Sequence, residues 1–179
     1  MVLSIMAGIQ ISQIQDLLNH KNVVRAMPNT PAQLGFGITA FTVAKDASFE
    51  NISVVDMLLE TTGKSIFMKD ESLLDAVTAL SGSGPAYFYY IVQHMIEAGK
   101  QMGVEENVAA MLVKETMMGA FQILNHSKLS IDELIAMVAS KGGTTEAALN
   151  TMKQREVGPH IMEALKNAEN RAKELSGGA

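Results

Sequence analysis

The chain has 179 residues, is 47% hydrophobic and only 18% charged, and carries a formal net charge of −5. Its basic residues come as singles or pairs, such as Lys21 with Arg25 and Arg171 with Lys173, so it lacks the cationic face that phosphate neutralisation needs, and nucleic acid is excluded as a main partner. The absence of cysteine excludes disulfide scaffolds, thiolate metal sites and cysteine nucleophiles, and suits the cytoplasm.

Val2 to Met6 is a short apolar run ended by Ala7-Gly8 and reads as a buried strand. The start has no basic n-region, so it does not read as a signal peptide, and no run approaches the length of a membrane span. From Gln10, apolar residues recur at Ile11, Ile14, Leu17 and Leu18, which is helical spacing, until Asn19–Asn22 breaks it. Val23–Met27 is β-rich and stops at Pro28. Strand, helix, strand with short connections is a βαβ unit, so parallel pairing is expected. A Pro- and Gly-punctuated loop over 28–37 leads to a strand at Ile38–Val43. Ser48–Thr62 is helical, with Gly63 placed as its C′ residue, and Ser65–Met68 is a brief strand.

Everything from Glu71 onward reads as helix. One helix covers Ser72–Leu80 and is broken by Ser81-Gly-Ser-Gly-Pro85, with Pro85 in the first turn of the next, which runs to Gln101 and ends at Gly103. Another covers Glu105–Asn125. Ser130 and Glu133 form a capping box opening a helix to Ala139. Helices over Thr145–Gln154 and Pro159–Leu175 follow, with Ser176–Ala179 expected to fray. Helices 86–101 and 105–125 are apolar on most sides, which implies enclosure on most sides. A second subunit is the expected cover; a central position in a monomeric bundle is the alternative. The fold class is therefore an α/β fragment of a Rossmann-type parallel sheet over 1–70, followed by an all-α domain over 71–179. The sheet part reads as incomplete, with three or four strands against about six in a doubly wound nucleotide domain.

Three nucleotide-like patterns are discounted. Gly35-Phe-Gly37-Ile-Thr-Ala40 spells G-x-G-x-x-A but precedes a strand, not a helix. Gly63-Lys64-Ser65 resembles the end of a phosphate loop, yet Leu58 stands where the earlier glycine belongs. Ser81-Gly-Ser-Gly84 lacks the first glycine of a nucleophile elbow. His20, His94, His126 and His160 show no metal spacing, so no metal is expected.

Two segments remain. Met27-Pro28-Asn29-Thr30-Pro31 sits at the C-terminal end of a parallel strand, where open α/β sheets bind ligands; a rigid turn capped by Asn29 explains it equally well. Ser140-Lys141-Gly142-Gly143-Thr144-Thr145 opens a helix. Paired glycines allow close backbone approach, and the unpaired first amides with the helix dipole favour an anion such as a carboxylate. An ordinary capped helix with a glycine entry loop is the plainer reading.

Ser4-Ile-Met-Ala-Gly8, Arg25-Ala-Met-Pro-Asn-Thr-Pro31, Leu80-Ser-Gly-Ser-Gly-Pro-Ala-Tyr87 and Val138-Ala-Ser-Lys-Gly-Gly-Thr-Thr145, in this order and spacing, closely resemble the pyrroline-5-carboxylate reductase family. The resemblance implies reduction of the C=N bond of 1-pyrroline-5-carboxylate to L-proline in proline biosynthesis, with NADPH or NADH as cofactor. It implies helical domains interlocked into homodimers, assembled further into decamers. On the cofactor's nicotinamide side it implies Ala7, Gly8, Met27, Pro28, Asn29 and Thr30. For the substrate it implies Ser140, Gly142, Gly143, Thr144 and Thr145, with the Thr145 hydroxyl near the ring nitrogen as the catalytic group, and the Ser81–Pro85 turn on the same cleft. Two departures stand out. Lys141 replaces the family's usual proline, which either loosens the loop or adds attraction for a carboxylate. The N-terminal G-x-G-x-x-G half is missing, so the chain reads as a truncated form. The alternatives are a non-catalytic oligomerising domain that binds proline-like carboxylates, and a related imine or oxo-acid reductase.

Overall fold

The computed structural model describes residues 1–45 and 47–177. The chain folds as two compact units, one made of 1–87 with 163–179 and the other of 88–162. The boundary expected at residue 70 falls inside the first unit.

The first unit is built on a four-stranded sheet in the order β1 (Val2–Ser4), β2 (Val23–Met27), β3 (Gly37–Val43) and β4 (Gly63–Phe67). Helix α1 (Ile11–Leu18) crosses between β1 and β2, and α2 (Phe49–Glu60) between β3 and β4, and both pairs are parallel, as a βαβ crossover demands. The middle pair, β2 with β3, is antiparallel, with Met27 opposite Ala40. The sequence expectation of parallel pairing thus holds for two of the three ladders. The reason lies in the connection: residues 28–36 hold a single 3-10 turn (Thr30–Leu34), too short to carry the chain back for a parallel strand.

All five residues of β2 are buried, so this strand is covered on both faces. Val24 and Ala26 pack with Phe41 of β3 and with Val55 and Leu59 of α2. On the other face Val23 meets Ile11 and Ile14 of α1, and Met27 meets Ala40 and Leu74. Phe41, with no exposed surface, contributes about 2–3 kcal/mol by leaving water.

Gly63 has a role other than helix capping. Thr61 caps α2, and Gly63 opens β4 at φ +144. A Cβ there would lie 2.0 Å from the Gly37 carbonyl oxygen, its partner on β3. The position therefore takes glycine because two backbones approach there.

Helix α3 (Leu73–Val77) runs into a π-helical turn (Thr78–Gly82), and α4 begins at Gly84 with Pro85 in its first turn. The expected break at 81–85 is therefore a widened turn that keeps its hydrogen bonding, Ser83 N donating to Thr78 O at 2.8 Å. The first unit also holds the end of α8 (Val157–Gly177). Ser176 and Gly177, expected to fray, are helical, and Ser176 is buried; residues 178–179 lie outside the described residues.

The second unit holds most of α4 (Gly84–Gln101), α5 (Glu106–His126), α6 (Ile131–Val138), α7 (Thr144–Gln154) and the start of α8. Gly103, at φ +89, ends α4, and the Ser130–Glu133 capping box opens α6, with both reciprocal bonds made. Gly99 brings α4 close to α5: a Cβ there would lie 3.0 Å from that of Ala109. The apolar faces of α4 and α5 nevertheless stay open. Phe88, Tyr90, Met95, Met111, Leu112 and Phe121 are all exposed. So many large apolar side chains left exposed on two neighbouring helices are the mark of an interaction surface.

Candidate functional site

In the first unit the candidate residues gather at one end of the sheet. Because β1 and β2 are parallel neighbours, with Ser4 opposite Arg25, the Ala7-Gly8 turn and the Met27–Thr30 turn leave the sheet at the same end. Ala7 and Thr30 are exposed, while Gly8 and Met27 are buried and Pro28 and Asn29 half-buried. Gly8, at φ +75, turns the chain into α1. Asn29 acts as a bridge rather than a free ligand. Its Oδ1 accepts from Ile38 N at 3.0 Å, and its Nδ2 donates to Ser81 Oγ at 3.3 Å. The glycine next to Ser81 fits tightly too, since a Cβ on Gly82 would lie 3.2 Å from Met27 Sδ. The 81–84 turn is thereby held against residues 27–29, and the rigid-turn and ligand-site readings of this segment are compatible.

Beneath these turns lies a charged cluster that the sequence reading missed. Arg25, at 1% exposure, donates from Nη1 to Glu71 Oε1 (3.3 Å) and from Nη2 to Asp75 Oδ1 (3.2 Å). Glu71 Oε1 also accepts from Ile11 N at 2.8 Å, and the Ser176 hydroxyl donates to Asp75 Oδ1 at 2.9 Å. Arg25 Nε is buried without a partner among the described residues. The signal was present: a lone arginine in an otherwise apolar central strand, with two acids four residues apart at the start of a helix.

The second unit holds the glycine loop. After α6 the chain passes through Ser140 and Lys141, both exposed, to Gly142 at φ +73 and to Gly143, the extended N-cap of α7. Gly143 N donates to Ser140 O at 3.0 Å, closing a turn. Gly142 N donates to Glu146 Oε2 at 2.6 Å, so a side-chain carboxylate from the first turn of α7 already sits on this loop. The amides of Thr144, Thr145 and Glu146 have no acceptor among the described residues, nor has the Thr145 hydroxyl. Three open donors at the positive end of an eleven-residue helix are suited to holding a carboxylate.

The residues present fit one end of a nicotinamide dinucleotide. The two turns lie at one end of the sheet, with Ala7 and Thr30 exposed as the surface a flat ring would meet. The amides at the start of α1 are already taken: Glu71 Oε1 accepts Ile11 N at 2.8 Å, and Gln13 Oε1 accepts Gln10 N at 2.8 Å.

Other groups do not add to the site. His94 and His126 bond backbone carbonyls one turn back, Tyr90 O and Gln122 O, both at 2.8 Å. The displaced carboxyls lie elsewhere. The Ser72 amide lowers Asp70, the Ser130 amide lowers Glu133, and Lys166 then Lys173 hold Glu169 at about 2. Among the described residues no group of three or more acidic or histidine side chains could hold a metal ion, and no helix is long and apolar enough to cross a membrane.

Compared with known proteins, residues 71–175 match the family model described as pyrroline-5-carboxylate reductase dimerisation. Pyrroline-5-carboxylate reductase of Staphylococcus epidermidis is 35% identical over 175 residues, which is 97% of this chain and 64% of that protein. The chain thus spans about two thirds of the length of the curated relatives it matches. The crystal structure of Plasmodium falciparum pyrroline carboxylate reductase with NADP bound superposes with a TM-score of 0.92 at 26% identity, covering 98% of this chain and 71% of that one. A pyrroline-5-carboxylate reductase from Coxiella burnetii gives a TM-score of 0.90 at 32% identity, covering 98% and 65%.

Proposed function

This chain belongs to the pyrroline-5-carboxylate reductase family, and we propose that it forms the substrate-gripping and self-associating part of such an enzyme, an oxidoreductase of proline biosynthesis in the cytoplasm. The reaction is reduction of the C=N bond of 1-pyrroline-5-carboxylate to L-proline. Residues 1–70 are the C-terminal part of a dinucleotide domain, and 71–179 the helical domain that binds substrate and pairs with a second copy. The observation that carries this reading is the 140–146 loop, with its three open amides on a preformed helix start.

In this reading the amides of Thr144 and Thr145 hold the substrate carboxylate, while Ser140, Gly142 and Gly143 set the loop's shape. The Thr145 hydroxyl, free in the chain, hydrogen-bonds the ring nitrogen and fixes the ring's face. Lys141, exposed beside the loop, adds a positive charge for the same anion. Ala7, Gly8, Met27, Pro28, Asn29 and Thr30 line the nicotinamide side, and the Asn29–Ser81 bond keeps that wall rigid. The cofactor, NADPH or NADH, supplies the hydride when bound. What the chain contributes is a fixed seat for each reactant, the ring on the first unit and the carboxylate on the second, while the cofactor carries the reactivity. The NADP in the Plasmodium structure supports the phosphorylated cofactor. The exposed faces of α4 and α5, and the family model's own description, support a homodimer; further assembly into decamers rests on the family resemblance alone.

A second reading is a carboxylate-binding, oligomerising domain without turnover, which the open amides of the 140–146 loop serve equally well. Oxidation of NADPH by this chain that requires 1-pyrroline-5-carboxylate supports the reductase. Saturable L-proline binding with no oxidation assigns the chain to the second reading, and absence of both refutes the carboxylate site.

A further inference from the structure

The C-terminal end of α8 lies outside every role given so far, and Ser176 lies one residue past the 71–175 family match. Yet Ser176 is 4% exposed, in a helix whose neighbouring residues Lys173, Glu174 and Leu175 are exposed. Its hydroxyl donates to Asp75 Oδ1 at 2.9 Å, with Ala172 O also within reach at 3.0 Å. Asp75 is itself fixed by Arg25 Nη2 at 3.2 Å. The last turn of α8 is thus tied to the middle of β2 through two buried polar contacts.

The neighbouring residue makes the contact that matters. A Cβ placed on Gly8 would lie 2.7 Å from Leu175 Cβ and 3.0 Å from its carbonyl carbon. The backbone of the Gly8 turn therefore rests on the backbone of α8's last turn, with no room for a side chain between them. Gly8 also holds φ +75, a conformation that glycine adopts freely and that a residue with a side chain would resist. A second tie reaches the same turn from the other side. Glu71 Oε1 accepts both Arg25 Nη1 and Ile11 N, three residues after Gly8.

From these contacts we infer that the last turn of α8 is a positioning element for the Ala7-Gly8 turn, with Leu175 backing the turn and Ser176 locking that helix end in place through Asp75 and Arg25. The inference rests on the proposed role of Ala7 and Gly8 beside the nicotinamide ring. Leu175 and Ser176 act through the turn rather than on substrate. Their loss weakens binding of the ring and leaves the carboxylate loop unaffected.

The test is hydrogen exchange on the intact chain, read by peptide, together with titration of reduced nicotinamide mononucleotide and of L-proline. Ser176→Ala is expected to speed exchange over residues 5–12 by about tenfold, the change produced by about 1.4 kcal/mol. Peptides over 140–150 should not change. Affinity for the mononucleotide should fall severalfold with that for L-proline unchanged. Ser176→Thr, which keeps the hydroxyl, should restore both. Unchanged exchange over 5–12 in Ser176→Ala overturns the inference. So does faster exchange everywhere, which marks a general loss of stability. Should Ser176→Ala not fold, Leu175→Gly, which removes the Cβ that backs Gly8 and leaves Ser176 in place, gives the decision with the same two outcomes at residues 5–12. If wild type binds neither small molecule, the reductase reading fails, but the exchange result still decides the positioning role.

Discussion

Replacing Gly142 with alanine isolates the shape of the carboxylate loop from its chemistry. Gly142 sits at φ +73, and an added Cβ would meet nothing within 4 Å. The substitution therefore introduces no clash; it only disfavours the left-handed backbone, by about 1–2 kcal/mol for an L-residue. The loop is on the surface and is held in this conformation by Glu146 and by the Ser140 turn, so it relaxes away from φ +73 without unfolding α7. Binding a carboxylate must then restore the strained form. L-proline affinity, measured by calorimetry, is expected to fall roughly 5- to 30-fold, with the melting temperature moved by no more than about 3 °C. Gly143→Ala acts differently. Its Cβ would lie 2.7 Å from Ser140 Oγ at an ordinary φ, so adding Ser140→Ala should recover part of that loss and none of the loss in Gly142→Ala. An unchanged proline affinity in Gly142→Ala, with stability also unchanged, would refute the role of the left-handed turn.

Other consequences follow from the same structure. Arg25→Met leaves the buried Asp75 with the Ser176 hydroxyl but without its charged partner and should destabilise the chain by about 3–5 kcal/mol in urea unfolding; a loss below about 1 kcal/mol would mean the ion cluster is dispensable. Glu169, lowered from 4.5 to about 2 by Lys166 and then Lys173, is depressed in the folded state. Its contribution is therefore present above about pH 4.5 and is lost as pH falls from there to about 2; Glu169→Gln should flatten the acid side of the stability profile in that window, and an identical profile would contradict the assignment. Leu112→Glu places a charge on the exposed apolar face of α5. Light scattering should find wild type larger than a monomer and this variant monomeric, whereas a monomeric wild type removes the case for pairing.

Much of this was legible because it is local. The Ser130–Glu133 box, Gly103 after α4, Pro85 in a first turn and the two long apolar helices are set by residues a few positions apart, and periodicity finds them. What escaped is set by partners far along the chain. Gly63 looks like a helix cap in sequence, and only its pairing with Gly37 shows that the constraint comes from another strand. Arg25 needs Glu71, Asp75 and Ser176 to become a cluster, and Ser176 stands 101 residues from Asp75. The antiparallel β2–β3 ladder follows from the short 28–36 connection, a length the sequence displays but that the βαβ pattern on either side obscures. The glycine loop was readable as a helix start for an anion. That Glu146 folds back onto Gly142 was not, since it depends on the left-handed turn at Gly142.

The most direct test of the carboxylate grip is an amide-resolved NMR titration of this chain with L-proline. The largest shifts are expected at the amides of Thr144, Thr145 and Glu146, saturating together, with a displacement at Gly142 as the Glu146 carboxylate gives way. Saturable binding whose shifts fall elsewhere, or no shift at those three amides at millimolar proline, would contradict it.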